Sequence, residues 1–191
     1  MGLAAQPLGQ HGRPAHVASP APRAAGYLRS LGRIHEMAPA NKTTDPPAWA
    51  RPRSAENCVI CRAGKPNDIL VELDASWVTA AEDAPMRGYA CLVFRRHAIE
   101  LHELSEIEGR DFMRDIRRLS AAVQEVTRAI KLNYEVHGNS IPHLHMHFFP
   151  RYPGDPFGTG PINPEAVQRP VYALGEFDVF RSRLLEVLNA A

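Results

Sequence analysis

Cysteine is scarce in this chain, three among 191 residues, and an odd number that small argues against a disulfide framework. Charge of one sign is also lacking. Lys plus Arg number 22 against 21 Asp plus Glu, a net of +1, so no global field exists to recruit nucleic acid or an acidic membrane surface. No apolar run approaches the roughly 18 to 20 residues that a membrane span requires. The Met1 end has no Lys/Arg start followed by an apolar stretch, so no secretory signal is expected and the cytoplasm is the expected compartment. With 45% of residues apolar, one compact domain is affordable.

The charge that is present is unevenly placed. Residues 1–53 hold seven of the 22 basic residues but only Glu36 and Asp45 of the acidic ones, together with eight of the 17 prolines. Such a composition buries too little apolar surface to order itself. Residues 1–55 are therefore expected to be a disordered or dispensable Pro/Ala/Arg-rich extension, with Met37 a candidate true start, and His11, His16 and His35 idle. A transit peptide is the competing reading, but the Ser richness and amphipathic stretch of one are missing. The remainder, 56–191, is mildly acidic and reads as the folded domain. No internal repeat is present.

In that domain, residues 67–74 and 77–81 read as two antiparallel strands joined by a tight turn, and 89–94 as a third strand buried on both faces. Ser105 and Glu108 form a capping box. Beyond it Phe112, Ile116, Leu119, Val123, Val126 and Ile130 recur at steps of four and three, predicting one amphipathic helix of about seven turns. Residues 133–136 start a fourth strand, Gly138 and Asn139 turn the chain, and 142–149 form a fifth strand that Pro150 ends. A Pro/Gly-rich loop, 153–170, either covers the site or only connects. Phe177, Phe180, Leu184 and Leu188 mark a closing helix. The order argues for α+β with an antiparallel sheet. Trp77, Phe94 and Cys91 read as core, and His102 as exposed.

The chemistry concentrates in His143, His145 and His147. On a strand, side chains at i, i+2 and i+4 share one face, so Leu144, Met146 and Phe148 would face the core. Three imidazoles offer little packing and titrate near neutrality, which points to metal ligation or to nucleophilic attack on phosphorus. Cys58 and Cys61 form a C-x-x-C clip. It offers two thiolates from one turn, and a tetrahedral zinc would need two more ligands, for which His97 and His143 are the best candidates. A redox pair or two ordinary buried thiols are the alternatives.

These motifs resemble the histidine triad (HIT) superfamily, whose signature is H-x-H-x-H followed by two apolar residues. The resemblance spans residues 57–155. It is supported by the C-x-x-C, by Arg87-Gly88-Tyr89 leading into a strand that ends in Arg96-His97, by the long helix, and by Asn133 followed by Gly138-Asn139-Ser140. It implies a HIT-like five-stranded antiparallel sheet with one long central helix and a C-terminal helix, a homodimer, and cleavage at the α-phosphorus of a nucleotide. It further implies a structural zinc on Cys58, Cys61, His97 and His143. His145 would be the nucleophile and His147 would bond the phosphate oxygens. Ser140 would contact phosphate or leaving group, Asn133 would bind substrate, and the backbone near Asn139 would assist.

Departures from the family pattern narrow the expectation. Gly88-Tyr89 stands where many members have Gly-His, and the ribose-handling segment is shortened around Glu82, Asp83 and Pro85, so no ribose ligand is assigned. A histidine at position 147, where the uridylyltransferase branch carries glutamine, favours hydrolysis. Phe149-Pro150-Arg151-Tyr152 resembles bacterial members described as dinucleoside polyphosphate hydrolases, a label that separates such substrates poorly from nucleoside phosphoramidates. The expected function is a nucleotide hydrolase acting through a nucleotidyl-histidine, with no nucleic-acid or membrane partner. The alternatives are a hydrolase with catalytic zinc on the H-x-H pair and a non-catalytic nucleotide-binding regulator.

Overall fold

The computed structural model describes residues 48–50 and 53–190. The expected extension over 1–55, with its histidines and Met37, falls for the most part outside the described residues. Five strands form one antiparallel sheet: β1 (Ile69–Glu72), β2 (Ser76–Thr79), β3 (Ala90–Phe94), β4 (Lys131–Glu135) and β5 (His145–Arg151), in the order β1-β2-β3-β5-β4. Helices α1 (Val59–Ala63), α2 (Glu106–Thr127) and α3 (Glu176–Ala190) complete the α+β architecture. None of the helices among the described residues is long and apolar enough to cross a membrane.

Helix α2 begins where its capping box predicts: the Glu108 N–H donates to Ser105 Oγ, and the Ser105 N–H donates to the Glu108 carboxylate at 2.9 Å. Arg96 also bonds that carboxylate at 2.6 Å and, as its nearest cation, holds it down to about 2. The helix stops earlier than its apolar spacing suggests. Arg128 takes a left-handed conformation at φ 57, so the helix has 22 residues, about six turns, and Ile130 lies beyond it, 72% exposed. The Thr127 hydroxyl bonds back to Val123 O and accepts from the Ala129 N–H, a local competitor that helps end the ladder.

The sheet's two faces differ in kind. On one, Leu92, Phe94 and Phe148 are buried against Phe112, Leu119 and Val123 of α2, with Phe94 and Phe112 edge to face. Asp115, also buried, ties this helix to the sheet by accepting from the Ala75 N–H at 2.9 Å, and burial pushes its carboxyl up. Met146 is only partly buried on that face, and Trp77 is partly buried against the core. The other face carries Tyr89, Cys91, Val93, His145 and His147, which line a cavity.

Two boundaries bear on the site. Strand β4 starts at Lys131 and not at Asn133, and β5 runs from His145 through Pro150 to Arg151. His143 therefore precedes β5, on irregular backbone, and the strand alternation assumed for all three histidines applies only to the second and third. Gly88 opens the route into β3 at φ 77, where a Cβ would come within 2.6 Å of Thr127 Cγ2, and its N–H donates to Tyr172 Oη at 2.8 Å. Only glycine suits that backbone and that space.

Candidate functional site

The clip cysteines flank a single turn of helix, because Cys58 caps α1 and Cys61 lies inside it. Cys58 Sγ is 3.4 Å from His143 Nδ1, Cys61 Sγ is 3.2 Å from His97 Nδ1, and Cys61 Sγ is 3.5 Å from His143 Nδ1. All four donor atoms lie within 4.8 Å of one another. The far nitrogens are occupied by carbonyls: the His143 Nε2–H donates to Phe94 O at 2.7 Å, and the His97 Nε2–H to Arg53 O at 3.1 Å. A carbonyl only accepts, so each ring keeps its proton on Nε2 and turns the Nδ1 lone pair toward the sulfurs.

That arrangement fits a metal. Tetrahedral zinc with two sulfur and two nitrogen ligands requires S···N separations of about 3.5 Å, close to those measured. Without an ion, burial and the neighbouring Cys58 push the Cys61 thiol up to about 11, and burial lowers the proton affinity of His143. These four residues could therefore hold a divalent ion, binding it with release of the thiol protons.

Across α1 lies the cavity, about 400 Å³. One wall is apolar, with Val59, Ile60, Ala63 and Pro66; the other brings together His137, Gly138, Asn139, Ser140, His145 and His147. The His145 Nδ1–H donates to His143 O at 2.6 Å, so Nε2 carries the lone pair in the neutral ring. Burial lowers its proton affinity, the hydrogen bond to the His143 carbonyl opposes this, and nearby His137 lowers it further. His147 stands 4.8 Å from His145 between ring centroids, edge to face, and its Nδ1 lies 2.6 Å from Tyr89 Oη. Phe149 stacks on the same imidazole at 5.8 Å.

The HIT domain family profile matches residues 62–154. A histidine triad protein from Bradyrhizobium japonicum is 30% identical in its crystal structure, with a TM-score of 0.56, covering 74% of this chain and 99% of its own. This chain belongs to the HIT superfamily. An adenosine 5'-monophosphoramidase of Schizosaccharomyces pombe is 27% identical over 130 residues, which are 63% of this chain and 94% of the relative. A zinc-bound histidine triad protein from Mycobacterium smegmatis shares the fold, at 17% identity and a TM-score of 0.51 over 72% of this chain and all of its own.

Within this HIT fold the residues singled out by sequence fall into three places. Cys58, Cys61, His97 and His143 converge in one cluster, while His145, His147, Ser140 and Asn139 border the cavity. Asn133 does neither: its Oδ1 accepts from Lys131 Nζ at 3.0 Å. Its side chain lies opposite Phe149 in the β4–β5 register, one pleat away from His147. The 153–170 loop contributes nothing to the cavity lining; it bonds the end of β4 through the Ile162 N–H on Glu135, and the β2–β3 connection through Arg169 on the carbonyls of Asp83 and Ala84.

Three side chains at the HIT site carried no assigned role in the sequence. Tyr89, just before β3, meets His147 through its hydroxyl, a pairing that the Gly88-Tyr89 departure could have flagged. His137 borders the cavity, with its ring centroid 5.9 Å from that of His147 and its Nε2 2.8 Å from Glu135. Glu135 is opposite His147 in the β4–β5 register. In the sequence His137 sits in the turn between Val136 and Gly138, near enough to the site to leave a role open, whereas Glu135 gives no such sign.

Proposed function

We propose that this protein hydrolyses a nucleotide at its α-phosphorus, with His145 Nε2 as the attacking atom, and releases a nucleoside monophosphate. The observation that carries the reading is the 2.6 Å hydrogen bond from His145 Nδ1–H to His143 O. It assigns the tautomer, so the ring presents an unprotonated nitrogen in a cavity that burial keeps favourable to the neutral form. Attack there gives a nucleotidyl-imidazole, which water hydrolyses, splitting one hard displacement into two easier ones.

The neighbours take supporting roles. With the Tyr89 hydroxyl donating to His147 Nδ1, the His147 proton sits on Nε2 and would bond the phosphate oxygens as charge gathers there. The Ser140 hydroxyl and the backbone N–H groups around Asn139 offer further donors at the same end. Val59, Ile60 and Pro66 form an apolar wall suited to a nucleoside base. The relationship to a phosphoramidase supports adenosine phosphoramidates as substrates, with dinucleoside polyphosphates the neighbouring class.

Cys58, Cys61, His97 and His143 would hold zinc. When bound, the ion supplies cross-linking of α1 to the start of β5, which fixes the apolar wall against the histidines. His143 turns its Nδ1 to the two sulfurs, which favours the four-residue set over zinc on the H-x-H pair. We further infer from the family resemblance a cytoplasmic homodimer, which sedimentation of the purified protein and localisation of a tagged copy would test.

The deciding experiment is mass spectrometry after brief exposure to adenosine phosphoramidate or a diadenosine polyphosphate, quenched without acid. A nucleotide-sized increment on His145 is expected. Hydrolysis with no adduct, or turnover by His145→Ala, would overturn the nucleophile, and binding without hydrolysis would favour the regulator.

A further inference from the structure

His137 and Glu135 lie outside the triad and outside the metal cluster. Strand β4 places Glu135 opposite His147 across the β4–β5 pairing. Two residues later, where the strand has ended, His137 lines the cavity beside His147 at 5.9 Å between ring centroids. The Glu135 carboxylate is fastened at both oxygens. Oε1 accepts from the Ile162 N–H at 3.3 Å, and Oε2 from the His137 Nε2–H at 2.8 Å. The side chains are 16% and 32% exposed respectively, so the carboxylate is shielded while the imidazole remains reachable.

Chemistry at the site calls for a proton at a defined moment. If His145 attacks phosphorus through Nε2, its one remaining proton is committed to the His143 carbonyl. Departure of an amine from phosphorus requires that the nitrogen be protonated, because an amide anion is too poor a leaving group. An imidazole oriented by a carboxylate through one nitrogen, in the lining of the cavity where the reaction would run, is an arrangement suited to deliver such a proton.

We propose that His137, positioned by Glu135, is the acid that protonates the leaving amine when this site cleaves a nucleoside phosphoramidate. This rests on the nucleotide-hydrolase reading above. In the first step the His145 Nε2 lone pair bonds to phosphorus. The electron pair of the P–N bond leaves with the amine nitrogen, which takes the proton from the His137 imidazolium. In the second step a water oxygen bonds to phosphorus and its proton passes to His137. The electron pair of the His145–phosphorus bond returns to Nε2. Both histidines end as they began.

The test compares two substrates of the full chain: an adenosine 5'-phosphoramidate of a simple alkylamine, and the p-nitrophenyl ester of AMP, whose leaving group needs no proton. His137→Gln is expected to lower the ratio of kcat/KM for the first over the second by about 100-fold or more, within the range of general-acid effects. Glu135→Gln, acting through His137, should lower the same ratio by about 10-fold. A ratio that His137→Gln leaves in place, whether both rates fall together or neither does, overturns the proposal. His145→Ala separates the two readings: if it still cleaves the nitrophenyl ester, the nucleophile assignment fails whatever His137 does. A wild-type chain that cleaves neither substrate overturns both readings together.

Discussion

A single residue, Leu144, separates His143 from His145, and their surroundings have little in common. His143 is buried with Nδ1 against two sulfurs and Nε2 on Phe94 O, whereas His145 borders a cavity with Nδ1 on a backbone carbonyl and Nε2 available. The contacts of the first hold its ring at both nitrogens, and the proposed function gives the second the reacting one. The difference arises from backbone position: β5 starts at His145, so its alternation governs 145 and 147, while His143 lies on irregular chain that can turn toward α1. A repeating motif need not mean a repeated role when a strand boundary falls inside it.

Substitutions can test that division. The largest effect is expected from His145→Cys, which should lower kcat by about 10⁴-fold or more, on the scale of losing a nucleophile, while zinc content stays at one per chain. His143→Cys offers the reverse, since a Cys3His set still binds zinc; it should retain both metal and most activity. Loss of zinc in the first, or of all turnover in a zinc-loaded second, would break the comparison.

Next in size is removal of the clip. Cys58→Ala should abolish stoichiometric zinc and cost about 3 kcal/mol, some 10 °C in Tm for a chain of this length. Metal analysis and a melting curve measure both, and unchanged zinc would remove Cys58 from the ligand set. Tyr89→Phe should be milder, about 10-fold in kcat, because it removes one hydrogen bond that orients His147 and leaves the ring stacking in place. A wild-type rate in that variant would make Tyr89 a packing residue only.

The smallest effect concerns pH. Burial lowers the proton affinity of His145, so the neutral, attacking form persists as pH falls past the ordinary imidazole value of about 6.5. The acid limb of kcat/KM is therefore expected below that value in the zinc-loaded protein. A limb at or above it would mean that another group controls the rate.

Much of the fold is legible in residue order. The capping box at Ser105 and the spacing of Phe112, Ile116, Leu119 and Val123 are local signals, and α2 obeys them. Its end was misread because Ile130 continues the apolar rhythm, while Arg128 leaves the helical conformation and Thr127 bonds its own backbone. The convergence of Cys58, Cys61, His97 and His143 was legible because a zinc on C-x-x-C would leave two coordination positions to fill and His97 and His143 were the histidines best placed for them. The placement of Asn133 was not, because strand register and a neighbouring lysine determine where its amide points.

Residue order by itself determined the order of the five strands and the two long helices, the core stripe of α2 and the chemical inventory of histidines and cysteines, since periodicity and capping act over a few residues. Tertiary structure decided which imidazole meets sulfur and which meets the cavity, that Tyr89 reaches His147, and that Glu135 holds His137. Those pairings join residues as much as 85 apart. They depend on sheet register and on where a strand begins, quantities set by the packing of the whole molecule.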